Sequence, residues 1–256
     1  MYKFGATFAL EAVPMVSAIS EFPNLEFRWY SWSELIEEFF EGRLDTILSP
    51  PLIAVEFPDS IVIPGVGIST RGRVPSPVLY TKVALEEGRN LSITAKYGYW
   101  KSWLGVVMSN LGLNYERVRI VGEGKFSQDD TILAGVDDED YSSARYKVVN
   151  LGELWKRMAS ETPMVCWVWV CRRGADYRQI RMLLGRLWDK AKENLSEASC
   201  GGRIYPELMG SSDVRAEDLA DIYYNVASAE VESIRWILDQ AKKFEFVSKE
   251  ADFIMC

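Results

Sequence analysis

The sequence predicts an α/β fold divided into two lobes. Two observations carry this. Short apolar runs rich in Val, Ile and Leu alternate with segments whose apolar residues recur at helical spacing, the pattern of strand–helix units with parallel strands. The chain also changes character at Glu86-Glu87-Gly88. It returns through a near-continuous apolar run over 164–171, long enough to pass from one packed layer into another. On that reading residues 1–83 and 172–256 form a discontinuous first lobe with a helical tail, and residues 84–171 form the second. Residues 80–83 and 168–172 are the expected crossings.

Each element follows from local chemistry. Residues 2–9 read as a strand, and Pro14 precedes a short helix over 15–20. Residues 26–30 form a second strand. Ser33 is placed to cap a helix over 34–40 with Leu35, Ile36, Phe39 and Phe40 on its apolar face, and Gly42 ends it. A buried strand over 44–49 closes at Pro50-Pro51. Strand pieces over 61–63 and 66–69 flank Pro64-Gly65, and 78–83 is a strand leaving the first lobe. The second unit opens with a strand over 91–95. The loop Lys96-Tyr97-Gly98-Tyr99 then starts a helix through Trp103, Leu104, Val107 and Leu111 that Gly112 stops. Strands follow over 117–121 and 131–134, with polar loops at 122–130 and 137–140. Leu151, Leu154, Trp155 and Met158 define an amphipathic helix, ended by Glu161-Thr162-Pro163 before the return strand. Helices over 177–193, 216–226 and 229–243 complete the chain. The last carries Val231, Ile234, Ile237, Leu238 and Ala241 on one face.

Composition narrows the chemistry. Hydrophobic residues make up 48% of the 256, enough for a packed core. A net charge of −8 argues against general affinity for nucleic acid or an anionic membrane surface, while a locally basic cleft could still take a small anionic organic ligand. There is no histidine, which removes the Ser-His and Cys-His pairs and most zinc sites. Acid–base work therefore falls to Glu, Asp, Lys, Tyr or Cys, or to the substrate's own groups. The four cysteines form no CxxC pair, and Cys166 and Cys171 have opposite parity on one strand, so they do not easily bridge. No apolar stretch reaches membrane-spanning length. The first apolar run is interrupted by Glu11, and no small-residue cleavage site follows, so the expectation is a cytoplasmic protein. A monomer and a homodimer both stay open.

Open α/β sheets leave a crevice at the carboxyl ends of their strands, and the candidate site residues are those that fall there. They are Glu11 in the first loop, Ser49 beyond the third strand, Arg73 and Ser76 before the crossing, and Thr94, Lys96 and Tyr97 at the start of the second-lobe helix. Arginine geometry suits carboxylate capture. A helix start with a lysine beside it suits an anion. Ser76 lies between Pro75 and Pro77, which fixes its direction. Tyr97, Tyr99 and Trp100 fit either a ring stack or the core, and Trp167 and Trp169 fit the core.

An ordered series of short motifs runs through these elements. Gly5 and Pro14 bracket the first loop, and Gly42-Arg43-Leu44-Asp45 precedes a strand and a proline. Pro64-Gly65-Val66-Gly67-Ile68 is followed by Gly72-Arg73-Val74-Pro75-Ser76. Gly152, Trp155 and Pro163 close the series. In this series the chain resembles the menaquinone-biosynthesis chorismate dehydratase family, over roughly residues 4–174 and more weakly in the tail.

The resemblance implies a two-lobed, periplasmic solute-binding-protein-like (type II) fold with an inter-lobe cleft. It implies loss of water from chorismate to give 3-[(1-carboxyvinyl)oxy]benzoate, the first step of the futalosine route to menaquinone, with no metal or organic cofactor. Ser76 occupies the position of a substrate-holding serine, and Glu11 falls where the family has asparagine. Pro51 replaces a serine, and Lys96-Tyr97-Gly98-Tyr99 replaces a loop rich in serine and threonine. The implied catalytic pair is Glu11, as a base, and Ser76, bonded to a substrate carboxylate or the leaving oxygen. The departures also fit a non-catalytic binding protein of the same fold, or an enzyme acting on another small carboxylate. A ligand amine, or an internal pair with Arg71, Arg73 or Lys96, would account for a carboxylate at position 11.

Overall fold

The structure is a computed structural model that describes residues 1–57, 60–113, 115–122, 131–135, 146–159, 161–198 and 219–255. Most of the two polar loops, Cys200, Cys256 and the start of the expected 216–226 helix lie outside these residues. The strands are β1 (Tyr2–Thr7), β2 (Leu25–Tyr30), β3 (Thr46–Ser49), β4 (Ser60–Thr70), β5 (Val78–Thr81), β6 (Asn90–Thr94), β7 (Arg117–Val121), β8 (Thr131–Ala134), β9 (Lys147–Asn150), β10 (Met164–Arg172) and β11 (Ile222–Tyr223). The helices are α1 (Val13–Ser17), α2 (Trp32–Phe40), α3 (Pro51–Ala54), α4 (Lys101–Asn110), α5 (Leu151–Met158), α6 (Tyr177–Ala198) and α7 (Ser228–Lys243).

The strands form two sheets, ordered β11-β4-β10-β3-β1-β2 and β7-β6-β8-β5-β9. In each, a parallel core (β2, β1, β3; β7, β6, β8) continues into antiparallel strands. The two-lobed α/β architecture read from the sequence is therefore present. Sheet membership moves the expected boundaries at 83/84 and 171/172. β5 pairs with β8 and β9, so it belongs to the second lobe. β10 pairs along its length with β3 and β4, so it belongs to the first. An apolar run suits a crossing strand, but it equally suits a strand with a partner on each edge, and β5 and β10 each have two partners. The chain actually crosses in the polar stretches 71–77 and 161–163.

Local differences have local causes. Helix α2 is capped by Ser31, not Ser33, because Glu34 three positions on reaches back to the Ser31 backbone N–H at 3.0 Å and completes a capping box. β4 is one strand, with Pro64 and Gly65 absorbed where its register against β10 shifts; Gly65 has a φ of 95°, open to glycine without strain. The two pieces flanking Pro64-Gly65 are thus a single bulged strand. Over 219–226 the chain forms a turn and the short strand β11 rather than a helix.

The lobes share one apolar core. Phe4 and Met15 belong to the same buried cluster as Trp103, Leu104 and Leu154. The crossing 71–77 lies directly on the start of α5. A side-chain carbon at Gly152 would collide with the Gly72 carbonyl oxygen. Asn150, which caps α5, also bonds the Val74 backbone N–H and C=O at 2.9 and 2.7 Å. Helix α7 spans both lobes: Ser233 donates to the Pro163 carbonyl at 2.6 Å, and the Trp236 ring meets Trp155 edge-on at 5.6 Å. The tail is accordingly a strap over both lobes and not part of the first alone.

Candidate functional site

Glu11 sits in a 3-10 turn, Leu10–Ala12, between β1 and α1. Extended Ala9 and Pro14 at the start of α1 fold this turn inward, and Glu11 is 0% exposed. An unpaired buried carboxylate is costly, so its partner matters. That partner is the Trp167 indole, whose Nε1–H donates to Oε1 at 2.7 Å. None of the cations considered from the sequence takes this place. Arg71 reaches Glu230 at 3.6 Å, and Lys96 is exposed. Oε2 makes no hydrogen bond among the described residues. Burial pushes the carboxyl up to about 7, partly offset by the Trp167 bond and a backbone amide.

The second lobe meets this group with aromatic side chains. The turn Ala95–Trp100 leads from β6 into α4 and buries Tyr97, Tyr99 and Trp100. The Tyr99 ring lies 5.4 Å from Trp167 and 5.1 Å from Trp32, both first-lobe residues, and Trp100 lies 6.4 Å from Trp167. The Tyr99 hydroxyl titrates well above its ordinary value, first from burial, then from the charges of Tyr97 and Glu11. The Trp100 side chain acts on the same hydroxyl in the opposite sense. The Tyr97, Trp100 and Trp167 rings thus all lie against Tyr99.

Ser76 joins this group from the crossing. Its hydroxyl lies 3.1 Å from the Tyr97 hydroxyl, and it is buried. Lys96 stands at the rim, with Nζ 5.4 Å from the Tyr97 ring and 6.0 Å from Phe8 of the first lobe. Thr94 precedes the turn; its hydroxyl is buried with no hydrogen-bond partner among the described residues. Of the seven residues expected to line the cleft, Glu11, Ser76, Lys96 and Tyr97 are thus brought together, with Thr94 at the base of the same turn. Ser49 is fully buried at the end of β3, opposite Val168, and its hydroxyl turns to the Pro50 carbonyl at 3.2 Å. Arg73 is exposed, with its backbone N–H held by Asp221 at 2.9 Å, because the 71–77 crossing packs on the tail there. Among the described residues, neither Ser49 nor Arg73 bonds to the Glu11 group. Trp167, which the spacing assigns to the core, is a polar participant here through its bond to Glu11, and Tyr99 and Trp100, read as either ring stack or core, pack against it. The available signal was that a buried indole N–H needs an acceptor.

Among the described residues no group of His, Cys, Asp or Glu is arranged to hold a metal ion. No described helix is long and apolar enough to cross a membrane.

No protein-family model matches the chain, and no curated protein does. Solved structures do. A structural-genomics target from Archaeoglobus fulgidus superposes with a TM-score of 0.70 at 14% identity, over 96% of this chain and 98% of that one. The periplasmic aliphatic sulphonate binding protein of Escherichia coli gives 0.62 at 13% identity, over 98% and 89%. A Candida albicans gene product described as having the generic periplasmic binding protein fold gives 0.58 at 12%, over 98% and 92%. The chain has a periplasmic-binding-protein-like fold.

Proposed function

We propose that this chain takes a small anionic organic molecule between its lobes and, as the resemblance implies, works in the cytoplasm as a cofactor-free lyase of chorismate dehydratase type. The observation that carries this is Glu11: a carboxyl buried between the lobes, held by Trp167 through one oxygen, with the other unengaged and a pKa of about 7. An acid–base group is most effective when its pKa lies near the working pH. In a chain without histidine, Glu11 is the group best matched to that task.

The chemistry balances without an added group. The Glu11 carboxylate takes the ring proton beside the leaving hydroxyl. The C–H electrons become the new ring double bond and the C–O bond breaks. The same proton returns to the departing oxygen, which leaves as water, and the ring becomes aromatic. Ser76, fixed by Tyr97, would bond a substrate carboxylate or that oxygen. The test is to incubate the protein with chorismate and follow 3-[(1-carboxyvinyl)oxy]benzoate by chromatography. Product that disappears in Glu11→Gln supports the reading; no product from folded wild-type protein rejects it.

A second reading is a non-catalytic binding protein for a small carboxylate. The fold's occurrence in the sulphonate binding protein favours it. A thermal shift with chorismate and no product would select it, since a ligand of the native state stabilises by mass action.

A further inference from the structure

The two crossings enclose a cavity of their own. Its walls are residues 70–72, where β4 runs into the first crossing, then Gly152, Trp155 and Lys156 of α5, then residues 161, 162 and 164 of the second crossing and β10. Glu11, Ser76 and Tyr97 do not line it. Gly152 lies against the Gly72 backbone, and neither glycine has a side chain to fill the space beside that contact. The volume is about 60 Å³. One water takes roughly 10–15 Å³ on the same measure, so the space suits about four to six non-hydrogen atoms. Two of the lining side chains are buried and apolar, Trp155 and Met164, while Arg71, Lys156 and Glu161 are exposed around the opening. These charges do not satisfy one another. Among the described residues neither the Lys156 nor the Glu161 side chain has an ion-pair or hydrogen-bond partner. Arg71 has only Glu230, at 3.6 Å, and that carboxylate already accepts from the Ala227 backbone N–H at 3.1 Å.

We infer that this cavity is a second binding site, separate from the Glu11 group, for the ammonium and carboxylate of a free α-amino acid. The carboxylate goes to Arg71 and Lys156 and the ammonium to Glu161, with the α-carbon against Trp155 and Met164 and the ligand's side chain toward solvent. The mixed sign of the opening selects this class. A simple anion would lie beside Glu161, and a simple cation beside Arg71 and Lys156, so only a molecule that carries both signs gains from all three. The size agrees, since the charged part of an α-amino acid is no larger than glycine. The place in the fold adds a consequence. The walls come from both crossings and from α5 of the second lobe, so the ligand makes all its contacts only while the lobes keep this arrangement. Its binding therefore favours this arrangement over one in which the crossings part. The inference does not depend on what the inter-lobe acid does.

The experiment uses glycine as the probe, with acetate and methylammonium as its two halves. Each is titrated into the full chain at neutral pH and constant ionic strength while the Trp155 Nε1–H proton resonance is followed. That N–H donates to the Thr162 carbonyl at 2.8 Å, and both residues line the cavity. Glycine should move the resonance saturably, at a concentration about fivefold lower than either half, the size of one exposed ion pair. Lys156→Met and Glu161→Gln should each raise the half-saturating glycine concentration about fivefold. Both residues are exposed, so these variants keep the fold. Glu11→Gln should leave the glycine titration unchanged. An unmoved Trp155 resonance overturns the inference, and so does a response to acetate or methylammonium as strong as that to glycine. Glycine binding that is indifferent to Lys156→Met and Glu161→Gln, or lost in Glu11→Gln, also overturns it. Turnover of chorismate is read separately and decides the dehydratase reading alone.

Discussion

Trp167 gives its indole N–H to Glu11 at 2.7 Å across 156 positions of sequence. This bond fixes the acid buried between the lobes, so it sets both the acid's titration and its aim. Without it the carboxyl would have two orphaned oxygens and an even greater reason to stay protonated.

The titration of Glu11 should appear in stability. Its folded pKa of about 7 lies above the ordinary value of 4.5. The folded state therefore holds a proton that the unfolded chain releases between those values. The neutral acid is tolerated at low pH, and stability is lost as pH rises from about 4.5 to about 7. Above that the ionised group costs roughly 3 kcal/mol. Glu11→Gln should therefore raise the unfolding midpoint at pH 8 and change it little at pH 4.5. Urea titrations at both values check this, and an equal effect at the two would contradict it.

If Glu11 is the base, turnover needs its ionised form. The rate of chorismate loss under subsaturating conditions should rise about tenfold per pH unit below 7 and level off above about 8. A flat profile over pH 5–8 would remove Glu11 from the proton transfer.

How much of this was legible in the sequence depends on what carried the signal. Alternation and turn residues gave the two lobes and nearly all the described strands, because periodicity is local. The crossings were misplaced because β5 and β10 look the same whether they cross between lobes or run between two partners; only pairing decides. Their place at strand ends put Ser76, Lys96 and Tyr97 in one neighbourhood, and the structure sets Ser76 and Lys96 beside Tyr97. The fate of Glu11 was not legible, since an isolated Glu in a loop is usually exposed and its partner lies in a distant strand. Trp167 was invisible as a polar residue for the same reason: an indole looks apolar until its N–H is located.

Ser76 and Tyr97 should be coupled. Their hydroxyls lie 3.1 Å apart in a buried setting. Ser76→Ala and Tyr97→Phe should each cost about 1 kcal/mol of stability, with the double variant costing less than their sum by about 0.5–1.5 kcal/mol. Chemical denaturation of the four proteins measures this. Strict additivity would mean the hydroxyls do not interact in solution.

The junction of crossing and helix gives the sharpest structural test. Gly152 lies so close to the Gly72 carbonyl that any side-chain carbon there meets backbone, which cannot swing aside as a side chain would. Asn150 holds the same crossing through Val74. Gly152→Ala should force the two apart and strain that pair of bonds, with a loss of about 3 kcal/mol or more. Asn150→Ala should cost about as much, because it orphans the buried N–H groups of Val74 and Gly152 and the Val74 carbonyl. The crossing carries Ser76, so both variants should also weaken ligand binding, whereas an exposed control such as Lys242→Ala should do neither. Thermal unfolding with and without chorismate reads both effects. If Gly152→Ala kept wild-type stability, the 71–77 crossing could not lie against α5 as described.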